Sequence, residues 1–289
     1  MNLKKAFTII CVALLCCCKP CNGIELGSVR YTTEDSLRFC ALAEKLAPYA
    51  GEAAPQLMLR VAKEFMGLPY VAGLLEQEPE MLTIDTRHTD CILFVEMCLA
   101  ATLTIRSGEC SFSNFCENTQ RLRYQGGVVD GYASRNHYTS SWLLQGVQNG
   151  IFDEITSSLG GESLGQTFSF MSTHPSAYKQ LAADPALVEQ IATTEDYLEG
   201  FEYYCLPKGD IEKLGEALQP GDIICFVTSV AGLDISHVAI ACLPEGESKM
   251  HFIHASQTAG KVIVSPETVA EYVKGRKSAR GIRVARLVF

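Results

Sequence analysis

The chain reads as an α+β fold, on three observations. Its first half carries apolar residues at helical spacing. Its last third carries short β-rich runs, and turn residues part each run from the next after only a few positions. Connections that short suit antiparallel neighbours, and helices followed by an antiparallel sheet define the class.

The elements follow in order. Thr33 or Asp35 caps a helix through Leu46, and Ala53 to Met66 carries the next, with Gly67 as its stop. Cys91 to about Ile105 is the central helix. Asn114 to Tyr124 and Ser140 to Asn149 are two shorter ones, the second stopped by Gly150. The pairs Gly126-Gly127, Asp130-Gly131 and Gly160-Gly161 mark turns. Residues 150–215 read as irregular and polar, a segment suited to cover one side of a cleft. Strands are expected over Asp222 to Thr228, Ser236 to Leu243, Met250 to Ser256, Lys261 to Val264 and Ile282 to Phe289. One helix, Pro266 to Lys274, interrupts them with proline in its first turn.

Residues 1–23 stand apart. Lys4 and Lys5 precede an apolar run from Ala6 to Leu15, broken only by Thr8 and too short to span a bilayer comfortably: the shape of a secretory signal. Cleavage near Cys21-Asn22-Gly23 is favoured over a lipoprotein anchor at the Cys16-Cys17-Cys18 cluster, because Leu15 fits a lipobox poorly. Residues 24–289 then form one exported, periplasmic domain, expected to be a monomer without a transmembrane segment. Removing Lys4, Lys5 and Lys19 leaves 21 basic against 33 acidic residues, a net charge near −12 that argues against nucleic acid as a partner. Eight of the 13 cysteines remain. Cys110 and Cys116 are the best-placed local disulfide pair, while Cys98, Cys225 and Cys242 sit in apolar runs as buried thiols. No Cys-x-x-Cys occurs after the leader, so no metal and no cofactor are expected.

Cys91 carries the chemistry. A polar turn, Arg87-His88-Thr89-Asp90, runs into it at the start of the central helix, where unsatisfied N–H groups and the macrodipole favour a thiolate. Asp90 is a natural N-cap. On the strand Ile235 to Ala241, His237 shares a face with Ala239 and Ala241, which leaves room for the Cys91 helix to approach that face. On the next strand His254 stands beside it, placed to hold the His237 ring in one tautomer. Nucleophile, base and orienting group is the set that thiol-based acyl transfer uses. The same three side chains also suit zinc, but no pair has a usual zinc spacing. Further along, Arg135, His137, Tyr138 and Trp142 combine charge, donors and flat apolar faces within eight positions, a set that suits a sugar ring and a peptide carboxylate. Asp234 reads as a loop cap, and His88 and His174 as surface residues.

Several ordered motifs resemble the NlpC/P60 cysteine-peptidase superfamily, and within it the DUF1460 branch of N-acetylmuramoyl-L-alanine amidase-like proteins. They are Gly67-Leu68-Pro69-Tyr70-x-x-Gly73, Asp90-Cys91-x-x-Phe94-Val95-Glu96, Gly131-Tyr132-x-Ser134-Arg135-x-His137-Tyr138 with Trp142, Gly221-Asp222-Ile223-Ile224, Leu233 to Val238, and His254-Ala255-Ser256. Together they cover most of residues 55–289. The resemblance implies a papain-like core in which the Cys91 helix packs on the antiparallel sheet, with helical additions at the N-terminus. It implies Cys91 as nucleophile, His237 as general base and His254 as orienting residue. Tyr70 lines such sites and helps the oxyanion hole, and Asp90, Arg135, His137, Tyr138 and Trp142 become substrate-binding candidates. Ala239 stands where the family usually has glycine, and Ile92 and Leu93 stand where small hydroxylated residues are common. The implied reaction is hydrolysis of the amide between N-acetylmuramic acid and L-alanine in muropeptides, in cell-wall recycling. Two alternatives stand beside it: an endopeptidase cutting between D-glutamate and the diamino acid, and a non-catalytic muropeptide-binding protein.

Overall fold

A computed structural model describes residues 24–289. The signal-peptide and lipid-anchor expectations fall on residues outside that range. The first described elements are β1 (Val29–Arg30), α1 (Thr33–Leu46), α2 (Ala54–Glu64) and β2 (Leu82–Thr83), with β1 and β2 paired in parallel. The cap of α1 is Thr32, one residue before Thr33 and three before Asp35. Its hydroxyl accepts from the Asp35 N–H at 3.3 Å while the Asp35 carboxylate accepts from the Thr32 N–H at 2.8 Å. Two otherwise orphaned donors are satisfied at once.

The helix α3 (Cys91–Ser107) begins at the cysteine because the Asp90 carboxylate accepts from the Leu93 N–H at 2.9 Å. Every residue from Leu93 to Thr102 is buried, so α3 is a core helix, apolar on nearly every face. Against it pack α4 (Phe112–Arg123), capped by Ser111, and then α5 (Thr139–Gln148) follows. Two charges are buried between α3 and α4: Arg123 Nε donates to Glu96 at 2.9 Å, with both side chains under 9% exposed.

Residues 150–215 are not irregular. They form β3 (Phe152–Glu154), β4 (Glu162–Leu164), α6 (Phe170–Thr173), α7 (Lys179–Ala183), α8 (Pro185–Glu199) and β5 (Tyr203–Pro207). Asp184 caps α8, whose first residue is Pro185, a start signal that the polar composition masks. The remaining elements are β6 (Ile223–Thr228), β7 (Ile235–Cys242), β8 (His251–Ser256), β9 (Lys261–Val264), α9 (Val269–Gly275) and β10 (Ala279–Leu287). They build one sheet, ordered β4-β5-β10-β6-β7-β8-β9, with β3 also on β10 and every pairing antiparallel. The 150–215 strands therefore extend the sheet at the end away from β8 and β9. Pro266 lies outside α9, which starts from a Thr268–Glu271 capping box. At Gly221, with φ +93°, a Cβ would fall 2.5 Å from the Pro55 side chain, so the entry to β6 abuts the start of α2 and needs glycine.

Both faces of the sheet are buried. Val238, Ile240, Cys225 and Ile253 join Phe94, Val95, Cys98 and Leu99 of α3 in one core. Phe226, Ala239, Ala241 and Phe252 join Val269 and Val273 of α9 in a second. Each such aliphatic or aromatic burial is worth roughly 1.5–3 kcal/mol. The alanine face beside His237 thus meets α9, while α3 lies on the opposite face. Cys110 and Cys116 do not pair. All eight described cysteines are free thiols, and Cys98, Cys225 and Cys242 are buried.

Candidate active site

Strands β7 and β8 pair only from Ile240↔Ile253 to Cys242↔His251. Beyond Ala239 they separate, and at that opening Cys91, His237 and His254 line one cavity of about 540 Å³. The Val238 backbone N–H of β7 acts on the Cys91 thiol and favours its ionised form. The N–H groups of Cys91 and Ile92, in the first turn of α3, favour it too.

The two imidazoles are joined: His237 Nε2 lies 2.7 Å from His254 Nδ1 with the rings near perpendicular at 87°. With Nε2 so committed, Nδ1 is the nitrogen of His237 left for another partner. Tyr70 reaches the cavity because its segment is tied on both sides. Its N–H donates to Gly260 at 2.9 Å, and it forms a parallel bridge with Thr89, two residues before the cysteine.

The electrostatics differ from a resting thiolate. Burial pushes the Cys91 thiol up to about 12, and the neighbouring Asp90 carboxylate adds to the shift against the opposing backbone donors. Burial likewise holds His237 down to about 3, with the His254 ring and the Arg276 guanidinium adding to it, and His254 down to about 4, with Arg276 adding. Near neutrality the pair is therefore thiol and imidazole, both uncharged. Asp90 itself is raised by burial, opposed by the Leu93 N–H and the Arg123 guanidinium. Burial raises the Tyr70 phenol, and so do the charges of Cys91 and Asp90. Among the described residues no three His, Cys, Asp or Glu side chains converge as a metal site, and no helix is long and apolar enough to cross a membrane.

The family described as AmiA-like, N-acetylmuramoyl-L-alanine amidase-like, matches residues 60–282. The chain belongs to this family. It is similar to a crystallised N-acetylmuramoyl-L-alanine amidase from Bacteroides uniformis, at 37% identity and a TM-score of 0.78, covering 82% of this chain and 99% of that one. It is also similar to a candidate xylanase from Bacteroides fragilis, at 39% identity and a TM-score of 0.73, covering 79% and 100%. A DUF1460 protein from Legionella pneumophila, at 18% identity, shares the fold with a TM-score of 0.68 over 89% and 95% of the two chains. No curated protein matches.

The remaining candidates of this amidase-like chain lie elsewhere. Trp142 is 1% exposed and packs on Phe152 with ring centres 5.1 Å apart, a core residue rather than a substrate contact. Tyr138 donates its hydroxyl to Glu195 at 2.6 Å and accepts from the Met171 N–H at 3.1 Å. Arg135 pairs with Glu76 at 3.1 Å and Glu80 at 3.2 Å, and lies over the Tyr132 ring. A ring nitrogen of His137 lies 2.8 Å from the Tyr132 carbonyl, and burial, then Arg135, hold it down to about 3. None of the four lines the cavity, and neither does any residue of 150–215.

Much of the remaining cavity wall went unread in the sequence. Gln257, Thr258, Glu267, Tyr272 and Arg276 contribute to it. Tyr272 packs on both imidazoles at 6.0 and 6.1 Å. The signal was a Tyr and an Arg four apart around the short helix that follows β9, a spacing that stacks two side chains.

Proposed function

We propose that this protein hydrolyses the amide between the lactyl group of N-acetylmuramic acid and L-alanine in small muropeptides, through Cys91, His237 and His254. The observation that carries the reading is the shared cavity, in which a thiol at a helix N-terminus meets a hydrogen-bonded histidine pair. The order of elements, a nucleophile-bearing helix on an antiparallel sheet with the histidines on adjacent strands, also favours a papain-like NlpC/P60 core. The name of the Bacteroides uniformis relative supports the choice of bond.

The steps follow from the neutral pair. In the tautomer with hydrogen on His237 Nε2, shared toward His254, Nδ1 is a free base. It takes the Cys91 proton as sulfur attacks the amide carbonyl, so charge separates only when substrate is present. The oxyanion forms within reach of the Cys91 and Ile92 N–H groups, with the Tyr70 hydroxyl beside them. His237 gives its proton to the leaving alanine nitrogen, the C–N bond breaks, and a thioester remains. Water, deprotonated by His237, cleaves the thioester and restores the thiol. A glycosidase would need two carboxylates across the cavity. Glu267 is the one carboxylate in the described lining, and it is paired with Arg276.

Mass spectrometry of a digested disaccharide–tetrapeptide tests the reading. Free disaccharide plus intact peptide supports it. A disaccharide–dipeptide product would replace it with the D-glutamyl endopeptidase, and no cleavage with retained binding would leave a non-catalytic binder.

A further inference from the structure

Resting on the muropeptide reading, we propose that Arg276 is the specificity residue of the cavity and takes a carboxylate of the stem peptide beyond the scissile amide. Among the described lining residues, Arg276 supplies the guanidinium and Glu267 the carboxylate. Every hydrogen bond of the Arg276 side chain uses Nη1: to Glu267 at 3.1 and 3.4 Å and to the Tyr272 carbonyl at 2.8 Å. Among the described residues its Nε and Nη2 make none, and the side chain is 40% exposed. That open edge is the half of the guanidinium fork that grips a carboxylate through two parallel N–H···O bonds.

The edge is also aimed. The guanidinium carbon stands 3.1 Å from the centre of the Tyr272 ring, so turning the fork away sacrifices the cation–π contact. Tyr272 in turn rests on His237 and His254. The Tyr272 ring is thus the neighbour that the fork and the histidine pair share. A carboxylate held there sits at a fixed offset from the bond under attack. Glu267, on the other edge, repels an acid from that side and leaves the Nε–Nη2 edge as the landing place.

The test compares N-acetylmuramyl-L-alanyl-D-glutamate with the same compound carrying D-isoglutamine, which differs by one carboxylate turned into an amide. Wild type should show a kcat/KM for the acid about 10- to 100-fold above that for the amide. Arg276→Gln should bring that ratio near one, through KM. The ratio is independent of the folded fraction, so partial misfolding does not mimic the effect. A ratio left unchanged by the substitution, or no preference in wild type, would overturn the proposal. If wild type cleaves neither compound, the amidase reading fails on its own. Calorimetric binding of the same two ligands then decides Arg276: tighter binding of the acid, lost in Arg276→Gln, upholds it, and equal affinities overturn it.

Discussion

The Cys91–Arg276 cavity and the Arg135–Trp142 segment are built from the same residue types. Each has arginine, glutamate, histidine and tyrosine in close array, yet only the first is open. In the segment, Arg135 faces Glu76 and Glu80, Tyr138 has Glu195 and His137 has a carbonyl, while Arg135 Nε and Nη2 and Trp142 Nε1 are buried without a hydrogen bond among the described residues. In the cavity, His237 keeps one nitrogen free of a protein partner and Arg276 keeps an edge. The residue types therefore do not tell a site from a buried network. What does is exposure: the Arg276 side chain is 40% exposed to a ligand and the Arg135 side chain only 7%.

The largest effect should come from the cavity. Cys91→Ala should lower muropeptide turnover by about 10³-fold or more while leaving the thermal midpoint nearly unchanged, because the Asp90 carboxylate and not the thiol caps α3. Turnover surviving at the wild-type rate would strip the cavity of its role.

Trp142→Ala should do the reverse. Emptying a site that is 1% exposed against Phe152 should cost about 3–5 kcal/mol in urea unfolding, with the rate per folded molecule retained. A selective rise in KM with unchanged stability would return Trp142 to the substrate.

A third measurement sharpens the difference within the cavity itself. With the thiol pushed up to about 12, iodoacetamide should modify Cys91 at least about tenfold more slowly than free cysteine at pH 8, and the rate should still climb at pH 10. Rapid alkylation levelling off below pH 8 would restore the resting thiolate that the helix N-terminus alone suggested.

Much of this was legible. Period-two and period-3.6 patterns placed α3 and the strands β6 to β9 within a residue or two, and Asp90 announced the start of α3. What local pattern cannot supply is which element covers which face. The alanines beside His237 suit a close helix equally well whether it is α3 or α9, and the long-range packing chose α9. The 150–215 segment misled because its polar composition hid an Asp-Pro helix start and three strands, β3 to β5. Burial of Trp142 and Tyr138 depends on partners, Phe152 and Glu195, supplied by that same misread segment. One misreading thus produced the other.

The smallest effect belongs to a property that both regions share. His237 and His137 are each held down to about 3 and His254 to about 4, in every case chiefly by burial. The unfolded chain protonates its histidines near 6.5, so between there and about pH 3 it binds more protons than the folded one. Stability must then rise with pH through that window and drain away as pH falls below about 6.5. Each histidine should contribute on the order of 1 kcal/mol per pH unit. The urea midpoint should therefore drop on going from pH 7.5 to 5.5, and His137→Gln should flatten that slope without touching the cavity. A midpoint that holds constant across this range would mean that the imidazoles of both regions stay wet enough to charge, and the contrast between an open site and a closed network would lose its electrostatic half.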